Sequence, residues 1–268
     1  MSAARAGAVV LRVGRREGTT RLVRLEQRQP LRALFPDDPD RLQAVLVNTG
    51  GGIVAGDRLS VEVAVEAGAS LLVTTQAAEK VYRSTGAEGG VTTRLSVAAG
   101  AHLDWLPQET ILFEAARLRR TLVLELQADA TFLGVEMLVF GRRARGEAFR
   151  TGALRDAWEV RHDGRLVWAD RLRVVPAEAP DPFAAPFALA GAAALATLVV
   201  RAGRPELVAA RAALDTSGAS VTEVGGLVLV RSLDQDAQQL RARVVRQLRA
   251  LRRTLLGRDE PLPRLWEI

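Results

Sequence analysis

The stretch 65-VEAGASLL-72 decides the fold, because the chain writes its pattern three times. VAAGAHLD at 97–104 and LQADATFL at 126–133 share the layout: a strand, a small-residue corner at Gly68, Gly100 or Asp129, then another strand. The corners fall 32 and 29 residues apart, from position 68 to 100 and from 100 to 129. Repeats of this kind describe strands coiling in successive turns, each turn burying the apolar face of its neighbour. Periodicity by itself leaves a coiled stack and a β-sandwich both open.

Outward from these corners the chain keeps period two. SVEVAVEAG from Ser60 sets Val61, Val63 and Val65 against Glu62 and Glu66, and TLVLELQAD repeats the alternation with Leu122, Leu124 and Leu126. Further strands are expected over 70–75, 91–97, 102–106, 132–139, 148–155, 157–161 and 166–175, with HDG at His162 as the hairpin turn joining the last two. The last third changes character. Alanine- and leucine-rich helices are expected over 183–202 and 205–214, and a strand returns in TEVGGLVLVRSL from Thr222. A long amphipathic helix follows to Leu256, capped by Asp234 and stopped by Gly257. The tail RDEPLPRLWEI reads as a strap or partner contact. The fold class is therefore mainly β with a C-terminal helical segment, in one domain over 1–268: a β-rich scaffold over 1–175 and a mostly helical part over 181–268.

Composition limits the chemistry. The 268 residues contain no cysteine and two histidines, His102 and His162, which excludes thiolate metal sites and a histidine-rich cage. No window reaches 18 uncharged apolar residues, and the arginine-bearing first twenty residues lack a compact apolar core, so a soluble cytoplasmic protein is expected. The net charge of +6 invites a nucleic-acid reading, with the arginine-rich helix from Asp234 as the contact surface. Against it, the basic residues are spread along the whole chain and aromatics are only 4% of residues, too few for base-stacking platforms.

Three dense stretches carry the candidate chemistry. NTGGGIVAGDRL from Asn48 has Walker spacing between Gly51 and Gly56, but Asp57 stands where the phosphate-binding lysine belongs, and a strand rather than a helix follows. The glycines then serve a sharp corner, with Asp57 as turn cap or cation ligand. TTQAAEKVYRSTG from Thr74 holds the sole lysine, Lys80, and the sole tyrosine, Tyr82, without a catalytic base or a nucleophile elbow. In HLDWLPQETILFEAA, His102 and Asp104 face the same way on a strand, and with Glu109 and Glu114 they form a candidate weak nitrogen-and-oxygen metal site.

These stretches, with GRRARGEAF from Gly141, resemble the urease accessory protein UreD family, called UreH in some organisms. The resembling positions are Asn48, Gly51, Gly52, Gly56 and Asp57, then Thr74, Thr75, Gln76, Lys80, Tyr82, Arg83 and Ser84. They continue through Pro107, Gln108 and Glu109 to Gly141, Arg142, Gly146 and Glu147. The match is strong over roughly 45–150; Thr49 departs from the usual serine, and the helical third adds no diagnostic motif. The resemblance implies a β-helix-like scaffold and no catalysis. It implies partnership with UreF-like and UreG-like accessory proteins and with urease apoprotein, and nickel as cargo in transit with no tightly bound cofactor. Carboxylates are expected inside and arginines outside, with Asp57, Glu109 and Glu136 as lining or gate positions.

Overall fold

The computed structural model describes residues 4–38, 41–84, 86–257 and 262–267. Seventeen strands and two helices follow in order. The first group is β1 (Ala6–Arg16), β2 (Thr19–Arg28), β3 (Leu31–Leu34), β4 (Gln43–Asn48), β5 (Arg58–Val65) and β6 (Ser70–Thr75). The middle group is β7 (Glu79–Val81), β8 (Gly89–Val97), β9 (His102–Leu106), β10 (Thr110–Leu112), β11 (Arg117–Leu126) and β12 (Thr131–Phe140). The last is β13 (Ala153–His162), β14 (Arg165–Val174), β15 (Ala194–Arg201), α1 (Arg204–Ala213), β16 (Ala219–Val224), β17 (Leu227–Asp234) and α2 (Ala237–Leu256).

The chain alternates between two sheets and so winds a β-solenoid of about four turns. One sheet stacks β1, β5, β8, β11 and β13 in parallel; the other stacks β4, β6, β9 and β12 in parallel. Inward positions align rung by rung. Val63, Leu95, Leu124 and Val160 are Cα partners in series and at most 1% exposed. Leu71, Leu103 and Phe132 oppose them from the second sheet. This continuous apolar stack is the core that the repeated pattern encodes.

The repeat corners are as expected. Gly68 and Gly100 lie at φ 66° and 64°, and Asp129 takes the same left-handed conformation at φ 58°, one that aspartate tolerates better than most residues. A third, shorter ladder closes the opposite edge. Ile53 bridges Val81, Val81 pairs with Leu112, and Leu112 with Phe140, one buried apolar residue per turn.

The outer face of the second sheet is covered by α1 and α2. Leu240, Val244, Leu248 and Leu251 of α2 pack over Leu133, Val135 and Met137 of β12 and Ala196 and Leu198 of β15. This cover explains the main departure from the sequence reading. The segment 183–202 is not a helix: 183–193 is a series of turns and β15 is a strand. Its residues are buried on both faces, so ALATLVV shows no period-two alternation, and alanine content pulled the reading toward helix. Of the two strands expected over 148–155 and 157–161, 148–152 is irregular and the rest is the single strand β13 from Ala153, and the returning strand is a hairpin, β16–β17, turning at Gly225–Gly226. Asp234 ends β17; the cap of α2 is Asp236, whose carboxylate accepts from the Gln238 and Gln239 amides.

Candidate functional site

The four dense stretches occupy one place in the coil. Each forms the same edge of a successive turn, held together by the Ile53–Val81–Leu112–Phe140 ladder. Their polar residues mostly bond across turns. The Asn48 amide donates to both Glu79 carboxylate oxygens at 3.1 Å. Thr74 Oγ1 donates to the Leu106 carbonyl, and the Gln108 amide donates to Thr75 Oγ1. The Gln76 amide donates to the Leu46 carbonyl, Arg83 bridges to Ala116, and Ser84 Oγ donates to the Ala87 carbonyl. Arg142 pairs with Glu147 and lies 4.0 Å over the Phe113 ring, while Gly141 and Gly146 turn the chain at φ 82° and 71°.

The glycine stretch is a packing corner. Gly52 has φ 144°, and a Cβ there would stand 2.4 Å from the Tyr82 ring and 2.7 Å from the Lys80 carbonyl. Tyr82 Oη donates to the Gly51 carbonyl, and Gly56 turns at φ 82°. Asp57 is fully buried as the cap of this corner. It accepts from the Arg5 amide at 2.8 Å, the Arg5 guanidinium at 2.7 Å and the Val54 amide at 3.1 Å. Burial pulls its pKa upward, but these donors win and hold it below the usual carboxylate range.

Beneath the edge lies a cavity of about 270 Å³, walled by both sheets and by the motif corners. Asn48, Gly51, Gly52, Gln76, Lys80, Pro107 and Gln108 contribute to its wall, with Glu79, Trp105, Thr110, Arg120 and Glu136. Three charges point into an otherwise apolar interior. Glu136 sits on the inward face of β12 between Gly134 and Leu138, Arg120 between Leu118 and Leu122 of β11, and Asp156 between Leu154 and Trp158 of β13. Arg120 donates to Asp156 at 2.9 and 3.0 Å, to Glu136 at 2.5 Å and to Thr110 Oγ1 at 3.1 Å. Trp105 Nε1 completes the set with a 2.9 Å bond to Glu136. Burial raises the Glu136 pKa, and the Arg120 charge offsets that only in part. Burial opposes the Arg120 charge, yet the Asp156 and Glu136 carboxylates keep its pKa above the ordinary arginine value.

Glu79 differs from its neighbours. Burial pushes its pKa up to about 7 against the Asn48 bonds, and among the described residues it has no ion-pair partner.

The other expected positions lie elsewhere. Glu109 pairs with Arg241 of α2 at 2.7 Å. Arg241 also bonds Gln108 and sits 4.7 Å over the Trp266 ring, whose Nε1 donates to the Leu106 carbonyl. The C-terminal tail is thus a strap fastening α2 to the 106–109 corner. His102 and Asp104 bond at 2.9 Å on the outer face of β9, beside a separate surface groove, and Asp104 is paired with the buried Arg252 at 3.0 Å. Glu114 accepts from Arg150 and Thr151. His102 and Asp104 are together, but Glu109 and Glu114 are tied to other partners, and among the described residues no group of three or more histidine or acidic side chains gathers to hold a metal. Arg120, Asp156 and Glu79 escaped the sequence reading. The signal for the first two was a charge on the inward phase of an alternating strand.

Comparison with known proteins bears directly on this edge. A family model described as the UreD urease accessory protein matches residues 5–267. The chain belongs to the UreD family. It is 43% identical over 273 residues to the urease accessory protein UreD of Magnetococcus marinus, covering 98% of this chain and 94% of that one. It is 45% identical over 254 residues to the UreD of Xanthobacter autotrophicus, covering 93% and 85%. UreD 2 of Methylorubrum populi is 44% identical over 274 residues, covering 97% and 90%. The UreD match spans the helical third as well as the motif-bearing coil. Among the described residues no helix is long and apolar enough to cross a membrane.

Proposed function

We propose that this chain is a non-catalytic scaffold for urease maturation. It docks on urease apoprotein together with UreF-like and UreG-like accessory proteins and lets nickel pass through its interior to the urease metallocentre. The observation that supports this reading is the cavity under the motif edge with Glu79, Arg120 and Glu136 in its wall, in a family whose relatives are named urease accessory proteins. A coil filled only by apolar side chains would have no use for an inward arginine and two inward carboxylates, whose desolvation costs several kcal/mol each unless paired. A path for a late transition metal also needs weak oxygen ligands that release it, and the cavity wall offers carboxylates and amides with no thiolate. The nickel is cargo, and nucleotide hydrolysis belongs to a partner, since the one Walker-spaced loop is a closed packing corner.

A nucleic-acid role for α2 is less well supported. Arg241, Arg243, Arg249 and Arg252 are each engaged by a carboxylate, which leaves no continuous free basic stripe among them. Reconstitution tests the proposal: apo-urease, nickel, GTP and the other accessory proteins, with and without this chain. Urease activity should appear only when the chain is present. Equal activation without it overturns the reading.

A further inference from the structure

The helices cover the outer face of the second sheet, but the outer face of the first carries a solvent-exposed row of arginines. In the ladder register Arg58 of β5 stands opposite Gly90 of β8, Gly90 opposite Arg119 of β11, Arg119 opposite Arg155 of β13, and Arg155 opposite Arg173 of β14. Period two turns all four side chains outward, since Leu59, Leu118, Leu154 and Val174 beside them are buried. The side chains of Arg119, Arg155 and Arg173 are 60%, 41% and 52% exposed. From β5 to β14 the row crosses about 19 Å at the usual strand spacing.

Among the described residues, two carboxylates bond these four guanidinium groups. Glu88 accepts from Arg119 at 3.2 Å and pairs with Arg155, and Glu178 pairs with Arg173. Arg58 is held differently. Its Nη1 donates to the Gly56, Asp57 and Glu88 carbonyls at 3.2, 2.9 and 2.7 Å, which fixes its charge in place without neutralising it. A Cβ at Gly90 would stand 3.0 Å from Arg58 Cδ, so the glycine leaves room for the Arg58 stem to lie across β8. A hollow of about 290 Å³ opens here, with Arg28, Arg58, Arg119 and Glu88 in its wall: three guanidinium groups to one carboxylate. Arg28, exposed at the end of β2, has no carboxylate partner among the described residues. The floor is Ser60, Thr92 and Thr121, which share the next outward rung.

We propose that this row is a docking surface for an acidic, extended segment of a protein partner, whose carboxylates pair with Arg28, Arg58 and Arg119. The guanidinium fork takes a carboxylate through two hydrogen bonds, and the pinned Arg58 loses little freedom in doing so. Same-face side chains of an extended chain fall about 6.6 Å apart, so about three alternate acidic residues match the length of the row. A nucleic acid fits less well. Among the described residues the wall of the hollow holds no aromatic side chain on which a base could stack, and Glu88 within the row opposes a continuous phosphate backbone. The proposal takes its protein partner from the scaffold reading and names the face that partner uses.

The test is fluorescence anisotropy with the full-length chain at about 50 mM salt. The labelled probes are an eight-residue peptide of alternating glutamate and threonine, its lysine–threonine counterpart and a single-stranded DNA octamer. Wild type is compared with Arg58→Glu/Arg119→Glu and with a control of equal charge change on α1, Arg204→Glu/Arg211→Glu, each confirmed as folded by thermal unfolding. Wild type and the control should bind the glutamate peptide alike, the row variant should bind it at least about tenfold more weakly, and the lysine peptide should bind to none. Should charge reversal unfold the chain, Arg58→Gln/Arg119→Gln takes its place and should lose affinity in the same direction. No glutamate-peptide binding by wild type, or equal binding by the row variant, overturns the surface. DNA binding tighter than peptide binding, and lost in the same variant, overturns it in favour of a nucleic-acid face. These measurements need no urease, so a chain that supports urease maturation yet ignores the glutamate peptide sinks the docking surface and leaves the scaffold reading standing.

Discussion

The coil turns at two edges, and they are built differently. At the plain edge the chain reverses in four residues with one repeated hydrogen bond: Ala69 to Glu66, Ala101 to Ala98 and Ala130 to Gln127, at 3.0, 3.1 and 3.1 Å. At the opposite edge each turn takes a much longer stretch, crosses to its neighbours through side-chain bonds, and roofs a cavity containing charged groups. Both edges close the same solenoid, so packing alone needs only the plain one. The extra residues and buried charges of the other edge serve something besides the fold, and that is where function should concentrate.

Stability measurements can break or sharpen this contrast. The largest effect is expected from Arg120→Met, which strands Glu136 and Asp156 without their cation and should cost about 3–5 kcal/mol in urea unfolding. A loss under about 1 kcal/mol would mean that the cluster is not a coupled unit. Next comes a glycine pair. Gly52→Ala at the motif edge meets a φ of 144°, the Tyr82 ring and the Lys80 carbonyl, and should cost about 2–4 kcal/mol. Gly100→Ala at the plain edge has φ 64° and open space around its Cβ, and should cost only about 1 kcal/mol. Equal costs would erase the distinction between the edges.

The smallest effect depends on pH. Because burial raises the Glu79 pKa from 4.5 to about 7, the folded state holds a proton that the unfolded chain has already released in that interval. Stability therefore falls as pH rises from about 4.5 to 7, and the loss persists above. Glu79→Gln removes it. The variant should match wild type near pH 4 and exceed it by about 1–2 kcal/mol near pH 8 once partial exposure is allowed for, as read by thermal or denaturant melts. A constant difference across that range would show that Glu79 titrates normally.

Much of the plain edge was legible in the sequence. Glycine or aspartate at a left-handed corner between alternating strands is a local signal, and positions 68, 100 and 129 carry it without help from the rest of the chain. The motif edge was legible as residues but not as geometry. Asp57, Glu109 and Glu136 look alike in sequence, yet one caps a corner, one fastens the C-terminal strap and one lines the cavity; the difference lies in Arg5, Arg241 and Arg120, which are 52, 132 and 16 residues away. Arg252 shows the same limit. Among the arginines that crowd the polar face of α2, it is 1% exposed, and it bonds the buried Asp104, 148 residues away. The four N-terminal strands went unassigned because β2 and β3 are antiparallel edge strands added to β1 and β4 in the two separate sheets, outside the repeat, and β15 was misread because both of its faces are covered.

The most direct test of the central claim is the nickel content of urease after maturation with variants at the two edges. Thr93→Phe places a ring in the cavity wall, and Asp129→Gly alters a plain corner while keeping its conformation accessible. With equal amounts of folded protein, the account predicts urease left nearly nickel-free by Thr93→Phe and fully loaded with Asp129→Gly. Full loading by Thr93→Phe would contradict it.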